Sequence, residues 1–324
     1  MENERVLIIG GAGSLGTELV KQLIDHNEIM IFSRDEAKHW DLKNKFPGRR
    51  NLFTFIGDVR DARRVRTVVR KTEPSVIIAA SALKQVDTCE YFPGESVDTN
   101  VMGTRNLIAA LEDFDGNHPP KALCFISTDK ACNPINVYGM CKSISEKLVL
   151  RAAEDIPKVR FVVTRYGNVM SSKGSVIPLF EHQGRDPNQE FLTVTDGQMT
   201  RFMMTLEESV TLINTAVLSG LSGELWVPAL DSMLIGDLAR YFSRRYEKPT
   251  RMIGIRPGEK IHEVLLNEEE AAYARRDGPY FIANYASRER AVGKEFSSLH
   301  HVVTPEVLER RLDSFLGPRA ARAS

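Results

Sequence analysis

The chain has 324 residues, 42% hydrophobic and 27% charged, with 43 basic side chains balancing 43 acidic ones. That length buries the core of one large domain or two moderate ones, and a net charge of zero excludes the broadly basic surface of a general nucleic-acid binder, though not one local basic pocket for a phosphate. The apolar runs fall far short of a membrane span; the four cysteines form no CxxC pair and follow no secretory signal, so they read as reduced thiols of a cytoplasmic protein, with Cys132 and Cys141 as small packing residues.

RVLIIG (5–10) is a nearly continuous apolar run, as in a parallel strand covered on both faces. GGAGSLG (10–16) follows it and opens a helical pattern over 14–26, so Gly10, Gly13 and Gly16 sit at a strand–helix junction. Glycines there permit a tight turn and let backbone amides approach a pyrophosphate at the helix N-terminus, the signature of a dinucleotide loop.

The second strand, EIMIFS (28–33), ends in Ser33-Arg34-Asp35 before a helix over 35–46. An NAD site usually places an acid here for the ribose 2′-hydroxyl. Ser33, Arg34 and Lys38 instead offer the hydroxyl and cations that a 2′-phosphate takes, so NADP is expected over NAD. Asp35 is either the dissenting acid or the N-cap of the next helix. LFTFIG (52–57) ends in Gly57-Asp58-Val59, where Asp58 either accepts from an adenine amino group or caps a turn.

Further strands SVIIAA (75–80), KALCFIS (121–127) and RFVVTRY (160–166) alternate with helical patterns at 61–71, 98–112 and 137–154. The alternation predicts an α/β fold, a Rossmann-like doubly wound parallel sheet, over residues 1–168. The fifth strand leads into STDKACNPINVYGMCK, with Ser127, Thr128, Asp129 and Lys130 at its tip and Tyr138 and Lys142 one helical turn apart on one face. A phenol titrates near pH ~10 and is a poor base; a neighbouring ammonium and an oxidised nicotinamide would lower it, letting Tyr138 deprotonate a sugar hydroxyl.

After residue 168 glycines and prolines break the pattern into short elements, with helices around 206–219 and 234–246. This predicts a smaller irregular α/β cap over 169–290, interleaved so that the 206–219 helix packs on the nucleotide part. A C-terminal helix and a disordered basic tail are expected over 291–324. His262-Glu263 lacks a second histidine four residues on, and no other spacing suggests a metal.

As a set, the glycine loop, the Ser-Thr strand tip, YxxxK and RYGNV (165–169) resemble the extended short-chain dehydrogenase/reductases that modify nucleotide sugars. More narrowly, STDKACNPINVYGMCK, FIGDVRD (55–61), RYGNVMSSKGSVIP (165–178) and IRPGEKIHE (255–263) resemble the soluble UDP-N-acetylglucosamine 4,6-dehydratases, notably the C5-inverting branch of pseudaminic-acid synthesis. Relatives of the glucose and mannose type usually carry Asp-Glu where this chain has Asp129-Lys130, and large membrane-anchored retaining relatives carry Met at the place of Tyr138.

The resemblance implies oxidation at C4 by a tightly bound, recycled NADP, loss of water across C5 and C6, and return of the electrons to C6. Asp129 would be the C6 acid and Lys130 the C5 base, with Thr128, Tyr138 and Lys142 completing the catalytic set. Lys130 would then need a pKa far below its free value, pressed down by Lys142 and the cofactor, and Asp129 one raised by burial. The same resemblance puts Ser14, Leu15, Val59, Ala80, Lys84 and Ser127 at the cofactor. It puts Lys84, Asn168, Ser175, Val176, Thr195, Arg201, Arg256 and Glu259 at the UDP-sugar. It also implies a homo-oligomer.

Overall fold

The computed structural model describes residues 1–170, 174–286, 290 and 292–317. The apolar runs form β1 (Arg5–Ile9), β2 (Glu28–Ser33), β3 (Leu52–Ile56), β4 (Val76–Ala79), β5 (Ala122–Thr128) and β6 (Arg160–Tyr166). All pair in parallel in the order β3-β2-β1-β4-β5-β6. The order reverses between β1 and β4, where a doubly wound sheet opens a crevice at its carboxyl ends. The expected Rossmann-like architecture is what forms.

The crossovers are α1 (Ser14–Leu23), α2 (Glu36–Lys45), α3 (Ala62–Thr72), α4 (Val86–Tyr91), α5 (Pro93–Ser96), α6 (Gly103–Glu112) and α7 (Val137–Asp155). The pattern over 98–112 enters α6 through a π-helical stretch at Val97–Met102. Asn100 accounts for the widening: its side chain pairs both ways with the Leu83 backbone, and its carbonyl accepts from Ser145 and Thr104 hydroxyls.

Beyond β6 come β7 (Asn168–Val169), α8 (Val176–Arg185), β8 (Leu192–Val194), β9 (Thr200–Met204), α9 (Leu206–Ser219), β10 (Glu224–Pro228) and β11 (Ser232–Leu234). Then follow α10 (Ile235–Tyr246), β12 (Thr250–Met252), β13 (Val264–Leu266), α11 (Glu268–Ala272), β14 (Ala274–Asp277), β15 (Tyr280–Asn284), β16 (Phe296–Ser297) and α12 (Pro305–Leu316). β10 adds to β6 in parallel, and β15 and β14 extend that edge antiparallel. α9 opens with a capping box between Thr205 and Glu208 and packs its Leu212, Ile213 and Ala216 into the apolar layer on the α1 side of the sheet. The remaining short strands pair as β11-β9-β7, β12-β8 and β13-β16.

One apolar layer covers each face of the main sheet, and a third gathers Phe180, Leu192, Leu238 and Phe242 between α8, β8 and α10. Arg165 on β6 is fully buried; its guanidinium bonds Glu146 of α7 at 2.6 and 2.9 Å and Glu270 of α11 at 2.7 and 2.8 Å. Among the described residues no helix is long and apolar enough to cross a membrane. From residue 318 the expected basic tail lies outside the described residues, as do Ser171, Ser172 and Lys173 of the RYGNVMSSKGSVIP run.

Candidate active site

The glycine loop is shaped by close approach. Gly10 has φ +82°, and a Cβ there would fall 2.6 Å from Ser81 Cα; one at Gly16 would fall 1.9 Å from the Gly11 carbonyl oxygen. Gly13 is the N-cap of α1 without any side-chain cap bond, and a Cβ on it would meet nothing within 4 Å except the Gly10 oxygen at 3.8 Å among the described residues. The first-turn amides of α1 are therefore left for an outside acceptor, a cradle that fits a dinucleotide pyrophosphate.

A cleft of about 1140 Å³ runs from this loop across the ends of β4, β5 and β6 to α8 and the 253–259 segment. Gly10, Gly13, Ser14, Leu15 and Gly16 form its floor at one end, with Ser33, Arg34 and Lys38 beside them. Val59, Ala80, Lys84 and Ser127 line the middle; Lys84 has its pKa lowered by burial. Asp35 is the N-cap of α2, accepting from Lys38 N at 3.1 Å, and its carboxylate also meets Lys38 Nζ at 2.9 Å. Arg34 lies 3.6 Å from Asp58. Arg34 and Lys38 are about half exposed, so these pairs cost little to exchange for a bound phosphate.

Asp58 itself is not on the wall. Its carboxylate is taken by Arg60, through the backbone amide at 2.9 Å and the guanidinium at 2.7 and 3.0 Å, which is the turn-capping alternative. Asn100 and Asn106 are likewise spent on backbone, at Leu83 and at the Val59 and Arg60 carbonyls.

At the tip of β5 a short 3-10 turn, Asp129–Ala131, packs under the start of α7 so closely that a Cβ on Gly139 would lie 2.1 Å from the Lys130 carbonyl oxygen. This brings Thr128, Lys130, Tyr138 and Lys142 onto one wall. Asp129 is fully buried behind it. Thr128 Oγ1 donates to Asp129 Oδ1 at 2.9 Å, and Lys130 Nζ donates to the same oxygen at 3.1 Å. Lys130 Nζ is also 3.2 Å from Glu263 Oε1, and Asn168 Oδ1 stands 3.5 Å away.

These contacts correct two expectations about charge. Lys130 is not pressed toward neutrality: burial lowers its pKa, but Asp129 and Glu263 on either side outweigh that and raise it. Tyr138 is pushed up to about 12 by burial, and the cation pulling it down is Lys130 rather than Lys142, with the Thr128 hydroxyl also lowering it. Lys142 instead donates to the Ile126 carbonyl, stands 3.8 Å over the Phe125 ring, and is brought down by burial to about 7. Asp129 is raised, by burial first and Glu263 second, against the opposing pull of Lys130.

At the far end, Ser175 is the N-cap of α8 without a side-chain cap bond, so a second helix N-terminus opens on the cleft through Ser175 and Val176. Thr195, Arg201, Arg256 and Glu259 line the same end. Arg201 is held by the Thr200 and Ile261 carbonyls at 2.8 and 3.1 Å, and Arg256 Nε lies 3.6 Å from Glu259.

Sequence reasoning missed Glu263 and Gln85, both on the wall. Gln85 packs against Gly174, where a Cβ would fall 2.2 Å from its Nε2. For Glu263 the available signal was an acid immediately preceding the apolar run VLL, the position of a side chain at the mouth of a strand.

A family model described as polysaccharide biosynthesis protein matches residues 6–285. The chain is similar to a Campylobacter jejuni protein named UDP-N-acetylglucosamine 4,6-dehydratase (inverting), 39% identical over 274 residues, 83% of this chain and 79% of that one. It is also similar to a Rickettsia canadensis protein named UDP-glucose 4-epimerase, 36% identical over 304 residues, 91% and 86% of the two chains. Among solved structures, Pen from Bacillus thuringiensis superposes with a TM-score of 0.89 at 31% identity, covering 97% of this chain and 98% of that one.

Proposed function

This chain belongs to the polysaccharide biosynthesis protein family, and from that premise we propose that it is an NADP-dependent nucleotide-sugar 4,6-dehydratase, a hydro-lyase that acts on UDP-N-acetylglucosamine and inverts C5. The observation that carries the reading is the juxtaposition of two acid–base sets at one strand tip, Tyr138 with Lys142 and Asp129 with Lys130, beside a cleft onto which two uncapped helix N-termini open. One helix end suits the cofactor pyrophosphate and the other the UDP diphosphate. The nicotinamide, when bound, supplies the reversible two-electron acceptor needed at C4. Gly10, Gly13 and Gly16 would hold its pyrophosphate, and Ser33, Arg34 and Lys38 a 2′-phosphate.

The chain's own residues do the rest. Tyr138 receives the proton of the C4 hydroxyl. With a ketone at C4 the C5 hydrogen becomes acidic, and Lys130 removes it. Asp129, kept protonated by its buried setting, supplies the proton on which the C6 hydroxyl leaves, through the Thr128 hydroxyl that separates it from the cleft. Arg201, Arg256 and Glu259 would position the nucleotide, with Asn168 next to Lys130 near the sugar. The exposed Tyr91, Phe92, Met140 and Ile144, on or beside α4 and α7, support self-association, which light scattering tests.

Turnover of UDP-N-acetylglucosamine in heavy water tests the whole reading. The expected product is a 4-keto-6-deoxy sugar carrying one deuterium at C5, in inverted configuration by proton NMR. Retained configuration would remove the inverting assignment only. A second reading, 4-epimerisation, is favoured by the similarity to the named epimerase over 91% of the chain; a C4 epimer with its C6 hydroxyl intact would establish it and remove the dehydratase.

A further inference from the structure

Lys130 cannot be a base while it is an ammonium, and it is held between two carboxyl groups. One of them, Glu263, has no part in the scheme above. Its side chain is 2% exposed, Oε1 meets Lys130 Nζ at 3.2 Å, and Oε2 is buried with no hydrogen-bond partner among the described residues. Its backbone amide donates to Ser298 Oγ at 2.9 Å, which anchors the carboxylate at the start of β13. The other carboxyl group, Asp129, also has one buried oxygen without a partner among the described residues, Oδ2.

We infer that Glu263 stores the proton Lys130 must give up: the ammonium passes a proton to the Glu263 carboxylate when a sugar closes the cleft, and the free amine is then the base at C5. This rests on the dehydratase reading of the site. In the transfer one N–H bond of Lys130 breaks and one O–H bond of Glu263 forms. The amine next takes the C5 proton, and the electron pair left on C5 delocalises into the C4 carbonyl. The ammonium so formed loses its new proton to solvent and recovers the stored one from Glu263, which restores the resting pair.

Charge and geometry both favour this route. The transfer turns an ion pair into two neutral groups, so it becomes easier as the sugar excludes water, when buried charge is most costly. The proton moves along the existing 3.2 Å contact between Lys130 Nζ and Glu263 Oε1, and that contact opens when the amine turns its lone pair to C5. Asp129 cannot serve instead, since it must keep its own proton for C6. The charged groups acting on Glu263 come from three segments: Asp129 and Lys130 at the tip of β5, Arg201 of β9 with Nε at 3.9 Å, and Lys260 on its own approach. His262 is turned to the Thr200 hydroxyl at 2.9 Å. Lys130 and Arg201 keep the carboxylate ionised at rest, against its burial, and Lys130 is the one within hydrogen-bond reach. Glu263 acts through Lys130 and is a positioning residue.

The test follows two signals in one single-turnover experiment with UDP-N-acetylglucosamine in heavy water: cofactor reduction, which reports C4 oxidation, and deuterium entry at C5. Glu263→Gln should reduce cofactor normally but exchange C5 roughly 10²–10⁴-fold more slowly at neutral pH, the span of a lost general base. Its exchange should then rise about tenfold per pH unit until pH passes the Lys130 pKa, which loss of the Glu263 charge itself lowers, because the ammonium must now give its proton to bulk water, whereas the wild type stays flat. A structural defect would not create that slope. Glu263→Asp, one methylene shorter, should lie between the two. Wild-type exchange in either variant, or a flat profile in Glu263→Gln, overturns the inference. If Glu263→Gln fails to fold by circular dichroism, Glu263→Asp alone decides it on the same two signals. A wild type that neither reduces cofactor nor exchanges C5 overturns the dehydratase reading and this inference with it, and is recognisable because the native enzyme fails too.

Discussion

Asn136 donates its side-chain amide to the Gly258 carbonyl at 2.7 Å while its side-chain oxygen accepts from Gly139 N at 2.8 Å. One residue thus caps the helix that carries Tyr138 and Lys142 and ties it to the 253–259 segment that carries Arg256 and Glu259. Gly258 has φ +80°, and a Cβ there would lie 2.9 Å from Asn136 Cβ, so the tie needs glycine. Asn136→Ser keeps a cap acceptor but is too short to reach Gly258. It should preserve the melting temperature yet weaken UDP binding by about 1 kcal/mol, roughly fivefold, by calorimetry. Asn136→Ala loses both bonds and should also cost about 0.5–2 kcal/mol of stability. Unchanged UDP affinity in the serine variant would detach the segment from substrate binding.

Arg34 decides the cofactor expectation. If it reads a 2′-phosphate, Arg34→Ala should weaken NADP by about 1.5–3 kcal/mol, the range for hydrogen bonds to charged groups, and leave NAD almost untouched. Release of Asp58 from its 3.6 Å contact adds little, since the pair is partly exposed. Equal weakening of both cofactors, measured by fluorescence titration, would show that Arg34 does not distinguish them.

The buried Arg165 network gives a prediction in acid. Burial raises the pKa of Glu270, but its hydrogen bonds to Arg165 bring it down to about 2, below its ordinary 4.5. The unfolded chain therefore binds the proton first as pH falls. The stability this carboxylate contributes is complete above about 4.5 and is lost as pH drops toward 2. Glu270→Gln should cost about 3–5 kcal/mol near neutral pH, because it leaves a buried guanidinium half-paired. The gap to wild type in urea unfolding should narrow below 4.5. A gap independent of pH would mean that the charge of Glu270 is not what stabilises the network.

The main sheet was legible because its strands, buried on both faces, are written as unbroken apolar runs such as RVLII and SVIIA. The glycine loop was legible because steric contact at Gly10 and Gly16 leaves no other residue for those places. β14 and β15 were not, since an edge strand such as ARRD, mostly exposed, carries no apolar period. Arg165 was hidden by composition alone: a buried guanidinium looks like any surface arginine until Glu146 and Glu270 arrive from 19 residues before it and 105 after it. The charge state of Lys130 failed for the same reason. Tyr138 and Lys142 sit near it in sequence, but Glu263, which helps raise its pKa, is brought in by the fold.

Thr128 lines the cleft beside the buried Asp129, and its hydroxyl donates to Asp129 Oδ1 at 2.9 Å. A carboxyl with no exposed surface cannot touch a C6 hydroxyl directly; of the two cleft-lining groups bonded to it, Lys130 serves C5 in the proposed scheme, which leaves the Thr128 oxygen to carry its proton. Thr128→Val keeps the volume and removes the relay. It should still exchange C5 with solvent but lose water roughly 10²–10⁴-fold more slowly, while Thr128→Ser stays near wild type. C4 oxidation should also shift toward higher pH in the valine variant, because the Thr128 hydroxyl that helps lower the Tyr138 pKa is gone. Asp129→Asn should stall at the same step. If the two residues act in series, Thr128→Val with Asp129→Asn will be no slower than the worse single variant. Additive losses would mean that Asp129 and Thr128 act separately, and rapid elimination by Thr128→Val would give Asp129 another route to the sugar.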